Sequence, residues 1–212
     1  MPLFLFTINS AYIDSMHTDR YSTILNNIKR YVTLTPHEEE QICSIIKTSH
    51  IAKKQFIIQA GQVCESRTYI VAGAFRVYYL DDQGKDHTVS IGVEDWFVTD
   101  FYSYINQEPA MNYAEALEDS TIFQLHYEDI EPLCKEIHAL SEYFRLTTEK
   151  AFAFSRRRVI SNISKTAEER YDEYVAAYAH IANRVPQYVL ASYLGMSPEF
   201  LSKIRKRKSL KS

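Results

Sequence analysis

The chain has 212 residues, 46% hydrophobic and 13% aromatic, with a net charge of −3. That is long enough for one large or two modest domains with real cores, and too rich in apolar and aromatic side chains for a disordered polymer. No apolar run approaches the roughly 18 residues that a membrane-spanning helix needs. The total charge hides a division. Before Ser155 there are 12 Lys and Arg against 22 Asp and Glu, a net of −10; from Ser155 onward there are 12 against 5, a net of +7. An acidic body with a basic C-terminal third is the electrostatic pattern of a nucleic-acid-binding end on a non-binding body.

Residues 1–20 read as an N-terminal extension. The opening MPLFLFTINSAY lacks a positive leader and a secretory h-region, so a cytoplasmic location is expected, with Met16 an alternative start. Residues 20–48 read as helical. Ile24, Leu25, Ile28 and Val32 recur at steps of three and four, and Thr35-Pro36-His37-Glu38 opens a second helix that is expected to run through Ile42, Ile45 and Ile46. From Ile51 to about residue 126 the period changes to two. Short aromatic and β-branched runs (Phe56–Ile58, Thr68–Val71, Phe75–Leu80, His87–Ile91, Trp96-Phe97, Thr121–Leu125) are divided by turns at Gly61, Gly73 and Asp81–Gly84, as in an antiparallel sandwich or roll.

The helical period returns after Tyr127. A short helix spans Asp129 to Ile137, and a long one follows to about Ile163. Along it Ile137, Leu140, Phe144, Thr147, Ala151 and Phe154 step by three and four. That stripe suits either packing on the chain's own sheet or a seam with a second helix. Thr166 with Glu169 forms a capping box for a further helix through Tyr174, Val175 and Tyr178.

Pro186 to Lys206, PQYVLASYLGMSPEFLSKIRK, reads as two short helices about a tight turn. Pro186 suits a first helical position, Leu190, Ala191 and Leu194 share a face, and Gly195 ends the helix where a left-handed residue is cheapest. Ser197 is an N-cap, Pro198 the first helical residue and Glu199 a first-turn acid, while Leu201 and Ile204 face back. This is the helix-turn-helix pattern, although an ordinary αα-hairpin has similar spacing. Six Lys or Arg among the ten residues 202–211 favour phosphate contact over a merely solvated tail.

The series Gly61, Tyr69-Ile70-Val71, Gly73, Val77, Gly84-Lys85 and Asp95-Trp96-Phe97 resembles the cyclic-nucleotide-binding β-roll of the Crp/Fnr family of bacterial regulators. The long helix and terminal helix-turn-helix follow in that family's order, so the resemblance covers about residues 25–207. ISNISKTAEERY and the PQYVLASYLGM segment look like the branch common in Bacteroidetes. The resemblance implies an α+β chain: N-terminal helices and an antiparallel β-roll sensor domain (21–136), a dimerisation helix (137–163), and a small all-α DNA-binding domain (164–212). It implies a homodimer on a palindromic operator, with RNA polymerase as a further partner. Many relatives continue into a two-stranded wing; the sequence given stops at Ser212, so a full wing is not expected, and the basic tail stands in for it.

The sensor site departs from the family. Its nucleotide-binding members carry a Gly-Glu, whose carboxylate accepts from the ribose hydroxyl, and an Arg-Ser or Arg-Thr, whose guanidinium neutralises the cyclic phosphate. The matching positions here read Val98-Thr99 and Ala110-Met111. No Arg or Lys lies between Lys85 and Lys135, and burying a phosphate without a cation costs several kcal/mol, on the order of what any unpaired buried charge costs. The effector is therefore not expected to be cAMP. An apolar or mixed ligand, aromatic filling by Trp96, Phe101, Tyr102 and Tyr113, and a vestigial pocket are all compatible with these residues.

On the second helix, Pro198, Glu199, Ser202, Lys203 and Lys206 are left facing outward, with Phe200 partly packed. Glu199 suits a cytosine N4 and Lys203 a guanine O6/N7. Gln187, Ser197, Arg205, Arg207 and Lys208 suit phosphates, which position without specifying. Glu199 and Lys203 are also spaced as a surface ion pair. Cys43, Cys64 and Cys134 are scattered, with no metal-ligand spacing, and His87 and His126 stand alone, so neither a metal, a cofactor nor cupin-type catalysis is expected. The rival reading is a ligand- or partner-binding roll whose helical C-terminal domain serves protein interaction.

Overall fold

The computed structural model describes residues 20–209; the N-terminal extension and Met16 lie outside them. Two helices, α1 (Ser22–Lys29) and α2 (Pro36–Ser44), lead into eight strands: β1 (Ile46–Ile51), β2 (Phe56–Ile58), β3 (Ser66–Ala72), β4 (Ala74–Leu80), β5 (Asp86–Val93), β6 (Phe97–Val98), β7 (Tyr113–Ala116) and β8 (Ser120–His126). A short helix, α3 (Phe101–Asn106), separates β6 from β7. After β8 come α4 (Tyr127–Glu136), α5 (His138–Ser164), α6 (Ala167–Arg184), α7 (Gln187–Tyr193) and α8 (Pro198–Ser209). The strands form two antiparallel four-stranded sheets, ordered β1-β8-β3-β6 and β2-β7-β4-β5, which is the β-roll of an α+β chain.

Local chemistry accounts for the helix starts. Thr35 and Thr166 each accept from the backbone N–H three residues on, while Glu38 and Glu169 return the bond, giving two capping boxes. The second helix stops earlier than its Ile42-Ile45-Ile46 spacing predicts. Ile46 instead begins β1 and pairs with Leu125 of β8, because β-branched residues beside an open strand gain a ladder that another helical turn cannot offer. Strand β7 carries no strong period-two signal of its own. It is held by β2 on one side and β4 on the other.

The main core lies between the roll and the helices α1, α2, α4 and the first turns of α5, around Ile24, Ile28, Tyr69, Phe75, Ile122, Leu125, Ile130, Leu140 and Tyr143. A chain of hydrogen bonds runs through it. The Tyr143 hydroxyl donates to Asn27 Oδ1 (2.7 Å), the Asn27 amide donates to the Asp95 carbonyl (3.1 Å), and Tyr69 donates to Asp95 Oδ1 (2.5 Å).

A second core joins the roll to the C-terminal helices. Ala74, Ile91, Val93 and Leu117 of the roll pack with Ile181, Val185, Val189 and Leu190 of α6 and α7. Polar contacts bracket it. Thr88 N–H donates to Ser192 Oγ (2.9 Å), and Arg184 grips Glu94 with both terminal nitrogens (2.6 and 2.7 Å) while also pairing with Glu118. Helix α6 bends at Tyr178 (φ −139°, ψ 44°), whose ring meets Trp96 and Phe154 edge-on.

The stripe on α5 divides along its length. Ile137, Leu140 and Phe144 are buried against their own roll, as the packing alternative had it. Thr147 Oγ1 donates back to the carbonyls of Tyr143 (2.9 Å) and Phe144 (3.2 Å). Ala151 and Phe154 (41%), the last two residues of the stripe, are exposed, and so are four apolar residues outside it, Phe152 (67%), Val159, Ile160 and Ile163 (82%). The roll buries the first half of the helix; the second half is largely exposed, with Arg158 still bonded to β5.

Candidate functional site

The two helices at the end of the chain pack as their spacing predicts. Val189, Leu190 and Ala191 on α7 and Leu201 and Ile204 on α8 are fully buried, and Leu194 is nearly so. Pro186, expected as the first helical residue, is instead the N-cap of α7, which begins one position later at Gln187. Gly195 (φ +67°) makes the turn, in a conformation that costs an L side chain about 1 kcal/mol or more. Ser197 Oγ accepts from Phe200 N–H (3.2 Å), which confirms the N-cap of α8, and Gln187 Nε2 donates to the Pro198 carbonyl (2.8 Å), tying the start of one helix to the start of the other. Phe200 is 46% exposed, so about half of it is covered.

Ser197, Pro198, Glu199, Ser202, Lys203 and Lys206 are all exposed. Ser197 chiefly, and Lys203 more weakly, hold the Glu199 carboxyl below its usual range. The basic tail behaves differently from its sequence reading. Arg205 donates to the Ala182 carbonyl (3.0 Å), Arg207 pairs with Glu168 (2.5 Å) and Lys208 with Asp172 (2.7 Å). Three of the five residues read as phosphate anchors thus turn back on α6: Arg207 and Lys208 because its first turns carry acids within reach, and Arg205 onto a carbonyl of its last turn. Gln187 is likewise engaged by Pro198.

A second site is a cavity of about 640 Å³ between the roll and α5. Val98 and Thr99 reach it. Ala110 and Met111 do not: Ala110 is buried in the main core, and Met111 is 61% exposed on the surface. Of the four aromatic residues expected at the site, Trp96, Phe101 and Tyr102 line it, whereas Tyr113 stacks on Tyr78 instead (5.3 Å). The segment in the cassette's place closes on itself: Asp100 accepts from Ser103 N–H (3.1 Å) and from Asn112 Nδ2 (2.8 Å), and Ser103 Oγ accepts from Cys64 N–H (2.8 Å).

The charge inventory of the cavity also needs correction. No cation arises from the cassette, but Arg67 of β3 and Lys150 and Arg158 of α5 line the cavity from elsewhere. Sequence distance hid them, since only the fold brings these elements together. Arg67 lies over the rings of Phe144 (4.4 Å) and Tyr104 (4.7 Å) and 3.5 Å from Glu131. Arg158 donates to the carbonyls of Thr88, Val89 and Tyr193 and stacks on the Tyr193 ring (4.1 Å). Burial lowers its pKa. Lys150 lies over the Tyr31 ring (4.2 Å). Among the described residues neither Arg158 nor Lys150 has a carboxylate partner within 4.0 Å, and no cluster of three metal-ligating side chains occurs.

Residues 48–137 match the family model of the cyclic nucleotide-binding domain. Solved structures share the architecture at low identity. FixK2 from Bradyrhizobium japonicum is 15% identical with a TM-score of 0.68, over 79% of this chain and 86% of its own. A Crp/Fnr-family regulator from Eubacterium rectale is 16% identical at 0.65, over 84% and 85%. The c-di-GMP-responsive global regulator CLP of Xanthomonas campestris is 11% identical at 0.65, over 84% and 93%. No curated protein matches the chain by sequence.

Proposed function

We propose that this chain, a cyclic-nucleotide-binding roll with the fold of Crp/Fnr regulators, is a sequence-specific DNA-binding transcriptional regulator and not an enzyme. The observation that carries the reading is the α7–α8 pair: a packed helix-turn-helix whose second helix presents Glu199, Ser202 and Lys203 to solvent within a region of net charge +7. The protein acts in the cytoplasm as a homodimer along α5. The exposed Phe152, Val159, Ile160 and Ile163 favour this, since an apolar stripe of that kind calls for a partner. Two-fold symmetry then places the two α8 helices in successive major grooves, about 34 Å apart, on a palindromic operator. RNA polymerase is the further partner such a regulator works with.

The effector is not cAMP. A cyclic phosphate and ribose need a carboxylate and a guanidinium side by side with backbone N–H groups, and Val98, Thr99, Ala110 and Met111 supply neither. Calorimetry with cAMP is expected to give no heat of binding at micromolar concentrations; a micromolar complex overturns the point.

Selection from random duplexes, followed by anisotropy titrations at several salt concentrations, tests the whole reading. A palindromic consensus and a steep fall of affinity with salt are expected. Lys203→Ala should relax preference at one base pair by ~1–3 kcal/mol. Equal loss on specific and random DNA would count against base readout. Salt-independent or absent DNA binding would favour the protein-interaction reading, to which the tail cations held by Glu168 and Asp172 already lend some weight.

A further inference from the structure

We infer that the cavity between the roll and α5 is a site for a planar aromatic anion, such as an aromatic carboxylate or sulfonate, with its rings inside and its charge at Lys150. The inference deepens the regulator reading, resting on the roll being a sensor, and it assigns the effector class.

Shape and wall come first. At about 640 Å³ the cavity is within the range that holds a drug-sized organic molecule. Trp96, Phe97, Phe101, Tyr102, Phe154 and Tyr178 contribute rings to it, and flat π faces favour a flat partner, stacked or edge-on, over a flexible chain.

The charge balance comes next. The two acids of the lining are already engaged: Asp95 accepts from Arg30 (2.8 Å) and Tyr69 (2.5 Å), and Asp100 from Ser103 and Asn112. The cations are not matched in the same way. Among the described residues Arg158 is held by neutral carbonyls and the Tyr193 ring, and Lys150 by the Tyr31 ring, with no carboxylate at either. A half-buried guanidinium without a counter-charge creates a positive potential that an anionic ligand relieves. Arg158 itself is enclosed by its carbonyl partners, so the ligand's own charge belongs at the exposed Lys150 ammonium.

The probe pair for a test is 1-anilinonaphthalene-8-sulfonate and its uncharged analogue N-phenyl-1-naphthylamine, titrated into the full chain without DNA. Trp96 is the chain's one tryptophan and lines the cavity, so near-complete energy transfer from it, read together with the Lys150 variants, reports occupancy there. The sulfonate should bind about ten-fold or more tightly than the neutral probe, an electrostatic preference of ordinary size for a partly enclosed charge. Lys150→Gln should weaken the sulfonate by about three- to five-fold, leave the neutral probe unchanged, and be rescued by Lys150→Arg. Equal affinity for the two probes, absence of transfer from Trp96, or indifference to Lys150→Gln overturns the inference. So does displacement of the sulfonate by cAMP or by dodecanoate in preference to 1-naphthoate. The DNA titration is separate. A protein that binds the sulfonate as described but no DNA removes the regulator reading alone, and one that binds DNA but neither probe removes the effector class alone.

Discussion

At the level of single residues, two positions in the roll carry more than their size suggests. Gly73, between β3 and β4, has φ +118°, and a Cβ there would lie 2.0 Å from Ser120 Oγ and 2.9 Å from the Ser120 Cα. The second of these is backbone and has no rotamer to retreat into. Gly73→Ala should therefore cost about 2–4 kcal/mol, combining a strained backbone with overpacking, read as a fall in urea midpoint at unchanged slope. Glu94, on the loop after β5, is the second. The Arg184 guanidinium, with help from the Gly73 N–H, lowers its carboxyl to about 2. A depressed carboxyl pKa gives stability that is present above the unfolded value and is lost as pH falls through the folded one. The contact between the roll and α6 should thus weaken from about pH 4.5 down to about pH 2, by ~0.5–1 kcal/mol after solvent screening. Arg184→Gln should remove that part of the acid dependence, measurable by denaturation across the same range.

Among elements, the long helix α5 divides the labour most clearly. Its first turns are core and its last turns are surface, although the spacing of apolar residues runs through both. The stripe Ile137-Leu140-Phe144 was legible as apolar but not as belonging to the chain's own roll, because periodicity gives a face and not the identity of what covers it. Phe152, Val159 and Ile163, separated by seven and four residues, share the other face. Ile163→Asp, and more so Ile160→Asp with Ile163→Asp, should shift the protein from dimer to monomer in sedimentation velocity with little effect on monomer stability, since both side chains are exposed. Capped helices were the most readable elements: Thr35, Thr166, Ser197 and Gly195 each act where their local chemistry points. What could not be read depended on distant partners. Ile46 became a strand through Leu125, and the cavity took its cations from β3 and α5 although its own segment has none.

For the molecule as a whole, electrostatics within the C-terminal domain competes with the phosphate contacts that the proposed DNA binding requires. Glu168 and Asp172 hold Arg207 and Lys208, so a phosphate must displace a carboxylate before either cation can serve it. Glu168→Gln with Asp172→Asn should raise affinity for any duplex by about three- to ten-fold at low salt and steepen the dependence on salt, with sequence preference unchanged. Arg158 carries a different kind of consequence. It lines the cavity, and its guanidinium clasps β5 and the end of α7, so one side chain belongs to both sites. On the proposed reading, a cavity ligand that moves this clasp changes operator affinity, and around a closed thermodynamic cycle the operator must change ligand affinity by the same factor. The protein on DNA and the protein free in solution would then have different thresholds for the same metabolite, and the ratio of the two could be measured from either end.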